Sequence, residues 1–208
     1  MENNKIARKY WALGDKQDAL ASAVALLTLP ASIQYVGSVA LESRLWDAAH
    51  ACGTSRTLIK KIRGRKDYEA RGADDERIDT EGALAEIVMA LLLEKANADI
   101  APLVAHKPDS GGVDITLDGK KLDVKSIGQG RLYVNINCRA HIDKPADAYV
   151  LVHLVRADVA DIYCVAAKAV EGWKQNTFLR GAPLDPRRYY YSAKLPAELE
   201  ALPEETEA

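Results

Sequence analysis

Cysteine is scarce and placed poorly for cross-linking: the 208 residues contain three, Cys52, Cys138 and Cys164, none in CxxC spacing. An odd, scattered set supplies neither a disulfide framework nor a thiolate zinc site, and it suits a reducing compartment. Long apolar runs are also missing. The longest, Ala83 to Leu93, is interrupted by Glu86 and falls short of the roughly 20 residues that span a bilayer. The opening MENNKIARKYW holds no apolar core of a secretion signal. The expectation is a soluble cytoplasmic chain with no membrane partner. Excess positive charge is the third absence, since 28 Lys+Arg stand against 30 Asp+Glu and leave a net charge of -2. Bulk charge therefore cannot draw the chain onto a polyanion, and any contact with nucleic acid would rest on local patches.

Apolar residues make up 48% of the chain, enough for one sizeable core or a core with a small appendage. Residues 15 to 62 are rich in alanine and leucine, with turn signals at Pro30 and at Gly53-Thr54-Ser55, and read as three or more helices. Residues 63 to 79 are almost wholly polar with two glycines, which predicts a linker and a boundary near 70 to 78. A helix capped by Asp79 or Thr80 then runs to about Lys95. Short β-rich runs follow at 113 to 117, 121 to 126, 131 to 137, 148 to 155 and 160 to 166, then a helical turn at 167 to 174 and an edge strand at Tyr189 to Ser192. The fold class is α/β, an α+β mixed sheet. The expected units are a helical module (1–75), a core (76–196) and an acidic tail (197–208).

The stretch GGVDITLDGKKLDVKS carries the chemistry. Asp118-Gly119 fits a two-residue type I′ hairpin loop, which needs positive φ at both positions. Leu117 then faces Lys120, Thr116 faces Lys121, Ile115 faces Leu122, and Asp114 lands opposite Asp123. Alternation puts Val113, Ile115, Leu122 and Val124 on one face, and Asp114, Thr116, Lys121, Asp123 and Lys125 on the other. The two aspartates would have Cβ atoms about 5 Å apart, a repulsive arrangement unless a cation sits between them. Hard oxygen ligands without His or Cys favour Mg²⁺, with Mn²⁺ as a substitute. Lys125 shares that face, where it could orient an attacking water or steady a phosphate oxygen. Left without metal, the same residues would form the solvated face of an amphipathic hairpin.

Glu86 is the only charge from Gly82 to Leu93 in EGALAEIVMALLLEK, on a helix apolar on nearly every side. A buried carboxylate needs a partner, which is a metal ion or else a backbone amide or an arginine. Glu81 is a second candidate at the expected helix start, where the dipole and solvent would account for it.

A helix acid, an aspartate opening one strand, a short hairpin and then D-x-K on the next strand resemble the PD-(D/E)XK nuclease superfamily. The matched positions are Glu86, Asp114, and Asp123 with Lys125 in "DVK". Pro108-Asp109 offers the literal dipeptide, but the hairpin register aligns Asp114 with Asp123. Downstream, DAYVLVHLV and DIYCVAAKAVEGW are similar to the later strands and Gly-Trp ending of some members. The resemblance covers roughly residues 78 to 195. It implies a restriction-endonuclease-like core, a Mg²⁺ site of Asp114, Asp123, Glu86 and the Val124 carbonyl, and hydrolysis of DNA to 5′-phosphate and 3′-hydroxyl ends. It also implies a homodimer in which each subunit cuts one strand.

Between 56 and 71 the basic residues Arg56, Lys60, Lys61, Arg63, Arg65, Lys66 and Arg71 face only Asp67 and Glu69. This cluster, with Tyr68 inside it, could grip a phosphate backbone, and Gly53-Thr54-Ser55 before it loosely resembles the turn of a helix-turn-helix. Gln129, after the D-x-K strand, could touch a phosphate or a water. His106 and His141 could lie near the site but are more simply surface or hydrogen-bonded residues. Three functions remain: a metal-dependent DNA nuclease, a non-cleaving nucleic-acid- or protein-binding module on the same fold, and a metal enzyme acting on a smaller phosphoester or on RNA.

Overall fold

The computed structural model describes residues 6–62, 75–103, 113–143, 145–177, 189–196 and 199. The chain opens with β1 (Tyr10–Trp11) and α1 (Lys16–Leu26). Asp15 caps α1, its carboxylate accepting from the Gln17 and Asp18 amides at 2.8 and 3.0 Å, which satisfies two of the orphan donors of the first turn. β2 (Gln34–Ala40) and the long α2 (Ser43–Ile62) follow. α3 (Asp75–Leu93) ends in a 3-10 turn (Glu94–Ala96) that Asn97 terminates in the left-handed region at φ 57°.

Thereafter strands dominate: β3 (Asp99–Ile100), β4 (Ile115–Leu117), β5 (Lys120–Ile127), β6 (Tyr133–Asn137), β7 (Ala148–Arg156), β8 (Val159–Ala166), β9 (Lys174–Thr177) and β10 (Tyr189–Lys194). Two short helices intervene, α4 (Cys138–Asp143) before β7 and α5 (Ala167–Val170) after β8. The main sheet has seven strands in the order β1-β2-β8-β7-β5-β4-β3, and a second sheet has the order β6-β10-β9. β1/β2 and β5/β7 run parallel and the other pairs antiparallel, so the architecture is mixed α/β.

Alternation along the strands divides the core in two. Leu122, Val124, Val150, Val152 and Ile162 turn to the helices and pack with Leu26, Leu45, Leu84, Val88 and Leu92. Ile127, Tyr149, Leu151, Tyr163 and Val165 turn the other way and meet Val134, Ile136 and Tyr191 of the second sheet. β7 and β8 are buried along almost their full lengths, as central strands covered on both faces should be.

The N-terminal third departs from its sequence pattern. Residues 15 to 62 hold two helices, not three or more, and they are joined to the rest: β2 pairs with β8 over Gln34–Ala40 and α2 packs against α3. Alanine and leucine runs read as helix locally, but a strand partner more than a hundred residues away decides QYVGSVA. Asp79 and Thr80 are not caps, because α3 starts earlier, at Asp75; the Asp79 carboxylate accepts from Thr57 Oγ1 at 2.8 Å and pairs with Lys60. β10, expected at an edge, is the middle strand of the second sheet. The tail beyond 199 and residues 63–74 lie outside the described residues.

Gly53 lies within α2, not in a turn, which removes the helix-turn-helix reading. A Cβ there would stand 2.4 Å from Thr80 Oγ1 and 2.7 Å from the Thr80 backbone nitrogen, so glycine permits the close approach of α2 to α3. Gly53→Ala gains about 1 kcal/mol of helix propensity, whereas overfilling closed packing costs about 1–3 kcal/mol. The atoms in the way include backbone, so the cost should win and the melting temperature should fall. A rise would contradict the close approach.

Candidate active site

The β4–β5 hairpin turns at Asp118 and Gly119, whose φ values of 47° and 73° meet the type I′ requirement. The ladder has the register expected of that loop, Leu117 with Lys120, Thr116 with Lys121 and Ile115 with Leu122. Its last registered pair is Ile115 with Leu122. The next β5 amide on that edge is Val124, and Asp114 takes it with its side chain, Oδ2 accepting from Val124 N at 2.7 Å. The Asp114 carbonyl meanwhile accepts from Ala101 N at 2.9 Å. Asp114 is thus fixed on both sides, its carboxylate by β5 and its main-chain carbonyl by the residue after β3. A strand residue directs its N–H and C=O to the same edge, so the Val124 carbonyl also faces this opening.

On β5, Lys125 Nζ is ion-paired with Asp123, and the two side chains are 34% and 22% exposed. Asp123 is in parallel register with Tyr149 of β7, and Lys125 Nζ lies 6.0 Å from the centre of the Tyr149 ring. The Tyr149 hydroxyl is 2.8 Å from His141 Nδ1, whose Nε2 lies 3.6 Å from Glu171. His141 is therefore a hydrogen-bonded residue bordering the site through Tyr149.

Burial pushes the Asp114 carboxyl up, the neighbouring Asp123 and Glu86 charges push it further, and Lys125 and the Val124 amide only partly offset this; the result is about 7. For Lys125, burial opposes the ammonium, but Asp123 and Asp114 outweigh it and the pKa is raised. Asp114 and Lys125 therefore both feel the Asp123 and Glu86 charges as well as each other. Burial likewise drives the Tyr149 phenol upward, reinforced by Asp123, so it is a neutral hydroxyl at physiological pH.

Glu86 has a partner that the sequence did not assign. Arg56 of α2 grips it in bidentate fashion, Nη1 to Oε1 at 2.9 Å and Nη2 to Oε2 at 2.5 Å, and donates from Nε to the Leu103 carbonyl at 2.8 Å. Of the partners expected for Glu86, a metal ion or else a backbone amide or an arginine, the structure supplies the arginine: a planar guanidinium satisfies both of its oxygens. The pair corrects the reading of Arg56, whose donors are turned to Glu86 and Leu103 in this arrangement. Glu81 is likewise inside α3, not at its solvated start; it is 9% exposed, paired with Arg77 at 2.9 Å and pressed against Gly128, where a Cβ would come within 2.7 Å of Oε2.

Of the basic cluster, Lys60 is ion-paired with Asp79 and Lys61 is exposed near the end of α2. Arg63, Arg65, Lys66, Tyr68, Arg71, His106, Pro108 and Asp109 lie outside the described residues. Gln129 is exposed in the turn after β5, just before Gly130. Sequence reasoning missed Tyr149 as a wall of the site. The signal was present in DAYVLVHLV, but only the parallel β5/β7 pairing sets its tyrosine beside Asp123.

Among the described residues, no three His, Cys, Asp or Glu side chains stand together as a ready-made metal cage. Asp114, Asp123 and Glu86 are within electrostatic reach of one another without surrounding a single point, and Lys125 and Arg56 supply the counter-charge. Hard carboxylate oxygens with an excess of negative charge fit Mg²⁺ or Mn²⁺ in donor chemistry. No family model matches the chain, and neither a curated protein nor a solved structure matches it.

The Asp114 carboxyl makes a pH prediction. Its folded pKa of about 7 exceeds the unfolded value of about 3.9. The folded chain therefore binds more protons between those values, and this group's contribution to stability falls as pH rises from about 4 to about 7. Thermal unfolding at pH 5 and pH 7.5, without metal, should show a loss on raising pH that is smaller in Asp114→Asn. An identical loss in the variant would refute the assignment.

Proposed function

We propose that the protein is a divalent-metal-dependent DNA nuclease with a restriction-endonuclease-like core of the PD-(D/E)XK type. The observation that carries this reading is Asp114 fixed beside the Asp123–Lys125 pair, its pKa lifted to about 7 first by burial and then by the Asp123 and Glu86 charges. Asp114, Asp123 and the Val124 carbonyl would hold Mg²⁺, or Mn²⁺ in its place, with Glu86 joining only if it leaves Arg56. The ion, when bound, supplies Lewis-acid stabilisation of charge developing on the phosphate. Lys125 holds the attacking water or a phosphate oxygen with its ammonium, kept charged by Asp123 and Asp114. Tyr149 limits solvent on one side of Lys125. Asp114 would have to be deprotonated to hold a cation, so metal affinity should rise as pH approaches about 7 and level off above it.

The products would be 5′-phosphate and 3′-hydroxyl ends, and a homodimer would let each copy cut one strand. Supercoiled plasmid incubated with Mg²⁺, Mn²⁺ or EDTA tests the reading: nicking with either metal and none in EDTA is expected, and nicking in EDTA would exclude it. A second reading, a non-cleaving binding module on this fold, is favoured by the Arg56–Glu86 pair and by the lack of a formed cage among the described residues. Intact plasmid under every metal condition, with DNA bound, would select it.

A further inference from the structure

The second sheet has one face in the core and one turned outward. On β6, Val134 and Ile136 are 2% and 1% exposed, whereas Tyr133 is 57% exposed and Asn135 is exposed with it. Antiparallel register aligns Tyr133 with Lys194, Asn135 with Ser192 and Asn137 with Tyr190, and on the far side Ser192 with Lys174. Directly opposed residues share a face. This face therefore carries Tyr133, Lys174 and Lys194 exposed at its margins, with Tyr190 half-buried and Ser192 buried at 9% exposure between them. Ser192 Oγ donates to Asn135 Oδ1 at 2.6 Å, which fixes that amide and leaves its nitrogen as a donor. No carboxylate occupies any of these registered positions among the described residues.

Lysines with no carboxylate beside them at the registered positions among the described residues, aromatic rings and a fixed amide match a polyanion that also offers π-faces and hydrogen-bonding edges. In a duplex the base faces are stacked inward and cannot reach a tyrosine, whereas unpaired bases can stack on one. We infer that the outer face of the β6-β10-β9 sheet binds single-stranded nucleic acid, with Tyr133 and Tyr190 as stacking platforms and Lys174 and Lys194 on the phosphates. This surface goes beyond the cleavage reading and involves none of the carboxylates at the hairpin.

The test is fluorescence anisotropy of a labelled oligothymidine with the full chain in EDTA, where metal-dependent cutting is absent. The unaltered protein should bind the single strand more tightly than a duplex of equal length, and Tyr133→Ala should weaken binding at least about fivefold. Lys174→Gln with Lys194→Gln should reduce the slope of log affinity against log salt by about 1.4, or about 0.7 for each lysine on a single strand. Tyr133, Lys174 and Lys194 are exposed, so unchanged circular dichroism is expected for these variants. No binding by the unaltered protein, equal affinity for duplex, or unchanged binding in both variants would overturn the inference. Because no cleavage is measured, a protein that cuts nothing can satisfy this test and one that cuts can fail it.

Discussion

Asp123→Ala and Lys125→Ala are each expected to lower plasmid cutting by roughly 10²–10³-fold or more, the range for loss of one preorganised electrostatic group. The two side chains form one ion pair, yet the losses have different origins. Asp123→Ala removes a hard ligand and the foremost of the carboxylates that hold Lys125 in its ionised form, ahead of Asp114 and Glu86. Lys125→Ala removes the group that handles water or phosphate, and with it one of the two influences that lower the Asp114 pKa. Asp114 should then hold its proton to higher pH, so raising the pH should recover metal binding in this variant without recovering cutting. Both side chains are partly open to solvent, which can rehydrate whichever partner remains, so folding and DNA binding should change little. Cutting at the unaltered rate by either variant would remove that residue from the mechanism.

Arg56→Ala should produce the largest loss of stability. It strands the Glu86 carboxylate and frees the Leu103 carbonyl, undoing contacts among α2, α3 and the segment after β3. Removing one partner of a buried pair costs about 3–5 kcal/mol. Here the side chains remain 19% and 20% exposed, so water recovers a share of that cost, and a loss of about 2–3 kcal/mol is expected. For a chain of this size this corresponds to a fall in melting temperature of very roughly 4–12 °C. Arg56→Met combined with Glu86→Leu, which leaves no orphaned charge, should recover much of the loss. An unchanged melting temperature in Arg56→Ala would mean that the ion pair does not support the packing of the two helices.

The hairpin was legible because its information is local: Asp118-Gly119 sets the turn, the turn sets the register, and period-two alternation separates Leu122 and Val124 from Asp123 and Lys125. The long buried strands β7 and β8 and the apolar α3 were legible for the same reason. Glu86 was singled out as a charge in need of a partner, and it is half-buried and paired, but which residue pairs with it was not readable. Nothing in α2 alone says that Arg56 faces α3 instead of solvent with its basic neighbours. The strand QYVGSVA is hidden in an alanine-rich third whose local propensity favours helix, and only the β8 edge selects it. The pairing of Tyr149 with Asp123 depends in the same way on a parallel contact that no short pattern encodes.

Calorimetric titration of the metal-free protein with Mn²⁺ at pH 7.5 addresses the carboxylate site without relying on turnover. A saturable heat that is lost or greatly weakened in Asp114→Asn and in Asp123→Asn is the expected result. Undiminished binding in both variants would contradict a metal site at the β4–β5 hairpin.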